Sequence, residues 1–357
     1  MRKGAVVLSL LLLILRSPLS AKDVFVNDYA VTEPYVEVSF LKQPSSTDKS
    51  DAAMVVCYGR SGTDVYTIDG GRANGTLLTA LNNLRSALLD NLGFSDKIKD
   101  PAYKLRITCL VSHCHPDHVE ELTNMLFSSP RFGVDALFLP EATMLSDDGS
   151  YDNAVNCDLN ERPALLDALG KWHPDAKVIQ VPFGTRMEIP LDEGGMIRLF
   201  APSCDWGKGE PLEYIRKVYY GNANALKVKS DVPLAVNNSD SMWVQVVAGG
   251  RKILFTGDVL KKKDLKDEPF DRMVNFYGED ALRSDVVKYP HHGISRDSAA
   301  EPLRELLLTD ASSFVVVTAS SAKRKSGPIL DRLGIPWLDA SAKDVVFRME
   351  GDSLRLE

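Results

Sequence analysis

The residues best suited to chemistry lie in the stretch Ser112–His118 (SHCHPDH), which holds three of the chain's six histidines. His113 and His115 stand two apart on a segment predicted to be extended, so their rings should project to the same side. Asp117 and His118 follow a proline that turns the chain towards a helix, so they can face a second position nearby. Imidazole and carboxylate groups together favour zinc, with manganese or iron as alternatives. The stretch therefore predicts a metal-binding segment.

Two later segments supply further candidate ligands. The apolar run Leu254–Phe255 leads into Thr-Gly-Asp258, and a carboxylate just past the end of a buried strand is well placed to bridge two metal ions. Asp285–Gly293 (DVVKYPHHG) is another strand-like run and contains the pair His291 and His292. Either segment alone would be a weak signal, because Gly-Asp turns and histidine pairs are common. Following the histidine-rich stretch in this order, they predict the rest of one metal site.

Residue spacing predicts the elements that position these groups. Leu105–Val111 has the pattern of a buried strand running into the histidine-rich stretch, and Leu77–Leu92 has apolar residues at helical spacing. Residues 203–232 are polar and are predicted to be irregular, and Val345–Met349 with Leu354–Leu356 predicts a final hairpin. The chain is strand-rich, then mixed, then strand-rich again with interspersed helices. This α/β pattern predicts two sheets packed face to face with helices outside, a four-layer αββα sandwich.

The N-terminus predicts a secretory signal peptide over residues 1–21. Two basic residues precede Ala5–Leu15 (AVVLSLLLLIL), an apolar run too short to span a bilayer comfortably. Leu19–Ala21 offers a cleavage site, and an uncleaved anchor is the alternative. No later segment has the apolar length of a membrane span. We therefore expect one domain over residues 22–357, secreted to the periplasm or another extracytoplasmic location, with no membrane span after cleavage.

Composition argues against one broad class of function. The 357-residue chain is 44% hydrophobic and 25% charged, which suits a globular protein, and its net charge is -7. An acidic chain is poorly suited to sequence-independent binding along a nucleic-acid backbone, so we expect no stable nucleic-acid complex.

Cys57 and Cys109 lie in apolar, strand-like runs and are predicted to be buried thiols.

With these residues in place, the sequence resembles the metallo-β-lactamase-fold hydrolases over nearly all of residues 22–357. The likeness includes Thr67–Gly71 (TIDGG), matching the Asp-Gly turn that precedes and supports the metal loop in that family. Within the superfamily the chain is most similar to the extracytoplasmic domain of competence DNA-uptake (ComEC-type) proteins and to phosphorylcholine esterase. The segments that carry this closer likeness are Asn237–Ser239, Thr256–Asp258 and Asp285–Gly293.

The resemblance implies a hydrolytic site with two zinc ions. One ion would take the first two histidines of the histidine-rich stretch. The other would take Asp117, the third histidine of the stretch and one of the paired histidines, of which His292 is favoured. Asp258 would bridge the two ions. The metal ligands that the resemblance implies are His113, His115, Asp117, His118, Asp258 and His292.

The resemblance also implies catalytic roles. Zinc lowers the pKa of a bound water to about 7, which gives hydroxide at neutral pH. Asp117 or Asp258 would orient that hydroxide towards a phosphorus or carbonyl centre. His291 would either support the ligands from behind or face the substrate, and it is the candidate proton donor to the leaving group. Asn238 would hydrogen-bond the substrate or the transition state.

Two departures from the family pattern bear on the surroundings of the site. The usual Gly-Gly after the fourth ligand is Glu120-Glu121 here, which is expected to crowd or charge the mouth of the site. The serine that usually follows His-His-Gly is replaced by Ile294, with Ser295 one residue later.

A third departure concerns the first metal ion, whose third histidine is missing from its usual Pro-Gly-His turn. The matching turn here is Ala201–Asp205 (APSCD), so the place is left to Cys204, to Asp205 or to water. An ordinary loop is the alternative interpretation of that turn. His173 is the remaining histidine, and it is expected to be a surface residue at the end of a helix.

The favoured function is hydrolysis of a phosphodiester or related ester, either in a small molecule or in a larger substrate. Lys261–Lys263 would suit a polyanionic substrate, although a solvated surface run is the simpler interpretation. One alternative is hydrolysis of an acyl ester, thioester or lactone at the same site. Another is a non-catalytic binding protein that has kept the fold, for which the missing histidine is the best support.

Overall fold

A computed structural model describes residues 23–42, 50–142, 144–145, 155–156, 161–207, 209–220, 231–261, 268–294 and 299–357. The predicted signal peptide, Cys157, Lys262, Lys263 and Ser295 lie outside the described residues.

The strands of the described chain alternate with helices along most of its length. In chain order the strands are β1 (Val24–Phe25), β2 (Tyr35–Phe40), β3 (Ala52–Tyr58), β4 (Thr63–Gly70), β5 (Tyr103–Leu110), β6 (Phe132–Pro140), β7 (Met144–Leu145), β8 (Val155–Asn156), β9 (Lys177–Val181), β10 (Arg186–Pro190), β11 (Met196–Phe200), β12 (Trp243–Ala248), β13 (Arg251–Phe255), β14 (Val286–Lys288), β15 (Phe314–Val317), β16 (Trp337–Asp339), β17 (Val345–Glu350) and β18 (Ser353–Leu356).

The helices of the described residues lie mostly between parallel strands. In chain order they are α1 (Thr76–Asn91), α2 (Pro116–Glu121), α3 (Glu161–Trp172), α4 (Gly209–Tyr220), α5 (Asp231–Ser239), α6 (Pro269–Tyr277), α7 (Glu279–Leu282), α8 (Ala300–Pro302) and α9 (Gly327–Arg332).

Most strands belong to one of two large sheets. The first sheet has the order β18-β17-β2-β3-β4-β5-β6-β9, with β1 alongside β5. The second has the order β10-β11-β12-β13-β14-β15-β16, and β7 pairs with β8 separately. The predicted C-terminal hairpin forms as β17 and β18 and adds to β2 in antiparallel register. The last strands of the chain therefore complete the sheet that its first strands begin.

Three apolar layers separate four layers of secondary structure. A central cluster joins the facing sides of the two sheets, where the Phe40 and Phe255 rings stack with centroids 4.8 Å apart. A second cluster lies between the outer face of the first sheet and helices that include α1, through residues such as Leu81 and Ile107. A third lies between the second sheet and its helices, through residues such as Met273 and Val287. The predicted αββα sandwich is confirmed.

One predicted irregular region is wrong. Residues 203–232 contain α4, in which Ile215 is fully buried and the Tyr214 hydroxyl donates to Glu268. The many charged and aromatic residues of this segment hide its helical spacing. Glu268 also stands just before α6, where it forms a reciprocal capping box with Asp271. In α6 the buried residues recur at helical spacing, so that helix carried a readable signal.

No helix of the described residues is both long enough and apolar enough to cross a bilayer. Cys57 and Cys109 are both buried within strands, as predicted.

Candidate metal centre

The candidate site lies just past the ends of β5 in the first sheet and of β13 and β14 in the second. The chain leaves β5 at Leu110, runs through the histidine-rich stretch and enters α2 at Pro116. In the second sheet, β13 and β14 are parallel, so the segments that follow them emerge at the same edge. The Met242 N–H, just before β12, donates to the Ser112 carbonyl at 2.8 Å and joins the sheets beside the site.

Four of the predicted ligands converge, and each has an atom within 3.4 Å of at least one other. His292 Nε2 lies 3.1 Å from Asp258 Oδ2 and 3.3 Å from Asp117 Oδ2. His118 Nε2 lies 3.4 Å from the same Asp258 oxygen. Ligands about 2.0–2.1 Å from a tetrahedral zinc ion stand roughly 3.3 Å apart, so these separations suit a shared cation.

His113 and His115 form the other half of the site. His113 Nε2 lies 3.1 Å from His115 Nδ1, so both rings face one point, as their spacing predicted. Both side chains are buried. Burial, with a further contribution from nearby histidines, lowers the pKa of His113 well below its usual value, and burial lowers that of His115 to about 4. Both are therefore neutral near pH 7, the state in which imidazole binds a metal ion.

Asp69, in the Asp-Gly turn at the end of β4, fixes the loop and one ring. Its Oδ1 accepts the Ser112 N–H at 2.7 Å, and its Oδ2 accepts the Ser112 hydroxyl at 2.8 Å. The same Oδ2 lies 2.8 Å from His118 Nδ1. A proton held on Nδ1 leaves the Nε2 lone pair of His118 directed towards Asp258.

A second buried carboxylate, Asp51, was missed in the sequence. Its Oδ1 lies 3.0 Å from His292 Nδ1 and accepts the Thr318 hydroxyl, and its Oδ2 contacts the Lys288 ammonium. Asp51 directly precedes β3 at the end of a polar loop, where nothing in its spacing distinguishes it from a solvated acid. Only the packing of β3 against the site brings it to His292.

Strained backbone is concentrated at this centre. In the described chain, the non-glycine residues with positive φ are Asp69, His291 and His292, at 56°, 51° and 59°. Such conformations are unfavourable for residues with a β-carbon and persist where the surroundings enforce them. Gly257 also has a positive φ, and a β-carbon there would lie 2.7 Å from Ser241, whose hydroxyl accepts the Asp258 N–H. The strain thus falls on residues that aim side chains into the site.

The buried histidines and carboxylates of the site shift one another's pKa values. Burial alone would lower the pKa of His118, but Asp258 and Asp69 raise it to about 10. Burial is likewise outweighed at His292, where Asp258 and Asp51 raise the pKa well above its usual value. His292, His118 and Lys288 hold the pKa of Asp258 well below its ordinary range in spite of burial. A cation that bound between these groups would replace the imidazole protons.

The residues present fit a metal ion. Asp51, His118, Asp258 and His292 carry potential ligand atoms that lie within 4.8 Å of one another, and among them Asp51 meets the Nδ1 side of His292. The Nε2 atoms of His118 and His292 are buried and have no hydrogen-bond partner among the described residues. Buried polar atoms are rarely left in that state, and a bound cation would satisfy both.

The two other predicted catalytic residues differ in exposure. The His291 side chain is 25% exposed, and its Nε2 lies 3.9 Å from Asp258 Oδ2. Asn238, near the end of α5, is buried, and its Oδ1 has no hydrogen-bond partner among the described residues. Their roles towards a substrate remain predictions, as do the individual ligand assignments.

The third ligand of the first ion is not supplied by any described cluster of ligating side chains. Within the described ranges, neither Cys204 nor Asp205 belongs to a group of three or more such side chains. Asp205 Oδ1 accepts the Gly207 N–H at 2.9 Å, and Cys204 lines an open cavity of about 360 Å³ with Arg272. His173 lies at the end of α3 and hydrogen-bonds the Phe127 carbonyl at 2.9 Å.

Expectations for two charged residues need correction. Glu121 does not charge the mouth of the site, because it is fully buried and accepts the Leu78 N–H at 2.7 Å in the first turn of α1. Glu120 is half-exposed and lies 3.7 Å from Arg72. Lys261 is neither solvated nor available to a polyanion, because its ammonium is largely buried against Asp271 at 2.8 Å.

Comparisons with known proteins give structural likeness alone. No protein-family model matches the chain, and no curated protein matches it. Unliganded yeast PDE1 is 11% identical over 88% of this chain and 99% of its own, with a TM-score of 0.42. The metallo-β-lactamase fold protein YhfI from Bacillus subtilis is 9% identical with the same coverage and a TM-score of 0.40. MEM-A1, a subclass B3 metallo-β-lactamase from a soil metagenome library, is 11% identical over 85% and 97%, with a TM-score of 0.32. With every TM-score below 0.5, the functional assignment rests on this chain's own residues.

Proposed function

We propose that this protein is a secreted, metal-dependent hydrolase that uses a binuclear zinc site. One observation carries the proposal: ligand atoms from distant segments converge at 3.1–3.4 Å in a buried place. Asp117 and His118 come from the first sheet, and Asp258 and His292 come from the second. Burying so many ionisable groups is costly unless they are paired or bind a metal ion.

Each half of the site has side chains suited to one ion. Asp117, His118, Asp258 and His292 would hold one zinc ion, with the pair His113 and His115 holding the other. When bound, such a cation lowers the pKa of a water ligand and polarises the substrate oxygen. Manganese or iron would be accepted by the same nitrogen and oxygen donors.

The chain's own residues complete the reaction around that centre. The Asp117 or Asp258 carboxylate orients the attacking water by accepting a hydrogen bond from it. His291 is partly exposed beside Asp258, where it can donate a proton to the leaving group. Asn238 supplies a side-chain amide that can donate to a substrate oxygen.

A phosphodiester is the favoured substrate class. The support is the resemblance of Asn237–Ser239, Thr256–Asp258 and Asp285–Gly293 to ComEC-type domains and phosphorylcholine esterase. Export rests on the N-terminal apolar run over Ala5–Leu15.

The test is a substrate panel with the purified protein loaded with zinc or manganese. We expect metal-dependent turnover of bis-p-nitrophenyl phosphate that exceeds turnover of p-nitrophenyl acetate, a thioester and a lactone. Asp258→Asn should lower the phosphodiester rate about a hundredfold or more while leaving circular dichroism unchanged. Asp135→Asn is the control, because Asp135 pairs with Arg106 between β5 and β6 and is not one of the candidate ligands.

Each other outcome selects a different function. Turnover of acyl substrates alone would identify an ester, thioester or lactone hydrolase at this site. No turnover of any substrate at full metal occupancy would reject the hydrolase. Less than one equivalent of metal after gentle purification, together with inactivity, would favour a non-catalytic binding protein.

A further inference from the structure

Behind the candidate ligands lies a buried ion cluster that the proposed chemistry does not use. Lys288, the last residue of β14, is 2% exposed and donates to the Gly257 carbonyl at 2.8 Å. Its ammonium contacts Asp51 Oδ2 and lies 3.3 Å from Asp258 Oδ1. Thr318, just past β15, donates its hydroxyl to Asp51 Oδ1. A buried lysine and carboxylate are retained at a cost in desolvation, which calls for a specific role.

The contacts of Asp51 distinguish a positioning role from that of a ligand. Both of its oxygens are engaged, Oδ1 by His292 Nδ1 and the Thr318 hydroxyl, and Oδ2 by Lys288. On an imidazole ring, Nδ1 and Nε2 point in divergent directions. Because Asp51 meets His292 at Nδ1 while Asp117 and Asp258 meet it at Nε2, Asp51 lies behind the ring.

The two halves of the site differ in which groups contact Nδ1 of their histidines. His118 and His292 each have a buried carboxylate at Nδ1, Asp69 at 2.8 Å and Asp51 at 3.0 Å. His113 Nδ1 instead faces hydroxyls, at 3.1 Å from Ser112 and 3.5 Å from Ser241. A carboxylate behind a ligating imidazole fixes its tautomer and raises its basicity, and its loss weakens metal binding about 10- to 100-fold.

We propose that Asp51, held by Lys288 and Thr318, is the positioning residue of His292 and makes the His118–Asp258–His292 half the tighter of two metal sites. This inference rests on the metal centre of the proposed function. The Lys288 ammonium contacts both the Asp51 and the Asp258 carboxylates and offsets the repulsion between their charges. Oδ1 of Asp51 therefore stays at Nδ1 of His292, and Oδ2 of Asp258 stays on the Nε2 side of the same ring.

The experiment is a zinc titration of the metal-free full-length protein against a competing chelating indicator, with no substrate present. We expect the wild type to bind two equivalents of unequal affinity. Asp51→Asn should keep both equivalents but weaken the tighter one about 10- to 100-fold. Asp135→Asn, which removes a carboxylate from an ion pair that involves none of the candidate ligands, should change neither.

Two results would overturn the proposal. An unchanged affinity in Asp51→Asn, within twofold, would show that the carboxylate does not act on His292. Loss of a whole equivalent would make Asp51 itself a ligand. Because binding is measured without turnover, an inactive protein that still showed the predicted affinity change would refute the hydrolase and leave the positioning role intact.

A second variant keeps the proposal open to test if Asp51→Asn fails to fold. Thr318→Val removes one hydrogen bond to Asp51 and leaves the carboxylate in place. We expect the tighter zinc equivalent to bind about fivefold more weakly, because that is the usual net contribution of one hydrogen bond. The visible spectrum of cobalt in that site should shift, because the orientation of His292 changes. An unaltered affinity and spectrum would contradict the proposal.

Discussion

At the residue scale, adjacent histidines meet different surroundings. His292 is fully buried and has Asp51 behind it and Asp258 in front, whereas the His291 side chain is 25% exposed. Both have a left-handed backbone, which turns successive side chains in directions that an ordinary strand or helix would not allow. Two neighbouring residues of one type can therefore serve one metal ion and one substrate.

This difference predicts opposite effects of one substitution. His292→Ala should remove at least one equivalent of metal and abolish activity, because a ligand is lost. His291→Ala should retain the full metal content and lower kcat about 10²- to 10⁴-fold, the usual contribution of a proton donor. Metal analysis beside steady-state kinetics makes the comparison. Equal metal loss in both variants would refute the separate roles.

At the element scale, Glu121 links the metal loop to α1. It closes the short helix α2 and accepts the Leu78 N–H in the first turn of α1. Burial raises the pKa of Glu121 to about 7, against the lowering effect of backbone N–H groups at that helix start. Glu121 is thus part of the support for α1.

The raised pKa predicts a pH dependence of stability. Between its ordinary value of 4.5 and about 7, the native state keeps a proton that the unfolded chain has released. The contribution of Glu121 to the free energy of unfolding therefore falls as the pH rises through that window, by about 3 kcal/mol, and is level above it.

Glu121→Gln keeps an acceptor for the Leu78 N–H but cannot titrate. Urea unfolding of both proteins from pH 4.5 to 8 should show the wild type losing stability relative to the variant up to about pH 7. Glu120→Gln, at a half-exposed position, is the control and should follow the wild type. Parallel curves for wild type and Glu121→Gln would contradict the raised pKa.

At the scale of the whole molecule, the site joins the two sheets. Asp117 and His118 follow β5 of the first sheet, whereas Asp258 and His292 follow β13 and β14 of the second. The sheets otherwise meet through an apolar interface that includes the stacked rings of Phe40 and Phe255. A cation at this edge would tie the sheets together in the native state alone.

Removal of metal should therefore lower the melting temperature. With free metal at a thousand times Kd, a ligand that binds only the native state contributes about 4 kcal/mol, which corresponds to roughly 5–10 °C in Tm for a chain of this size. Calorimetry before and after dialysis against a chelator measures the shift, and added zinc should restore it. Asp258→Asn should show a smaller response. An unchanged Tm after verified metal loss would mean that the site does not couple the sheets.

Much of the fold was readable because its elements carry strong local patterns. β5 is a buried run with a hydrophobic pattern, and α1 shows leucines at helical spacing. α4 was missed because charged and aromatic residues interrupt its pattern, and its register depends on contacts such as Tyr214 with Glu268. The placement of β17 beside β2 could not be derived, because long-range pairing leaves no local signal.

The sequence by itself determined the chemistry of the candidate centre. Ligand-forming residue types at close spacing in Ser112–His118, and at the ends of two later strands, mark a metal site whatever surrounds them. Only the tertiary structure decided what stands behind those ligands. Asp51, Lys288 and Thr318 are ordinary residues in their own segments, and they become a positioning cluster because separate strands end at one edge. Glu121 likewise lies in the right place along the chain to face the site, and packing against α1 turns it away. Spacing encodes which donors are near in sequence, whereas burial, pKa and orientation depend on neighbours that only folding supplies.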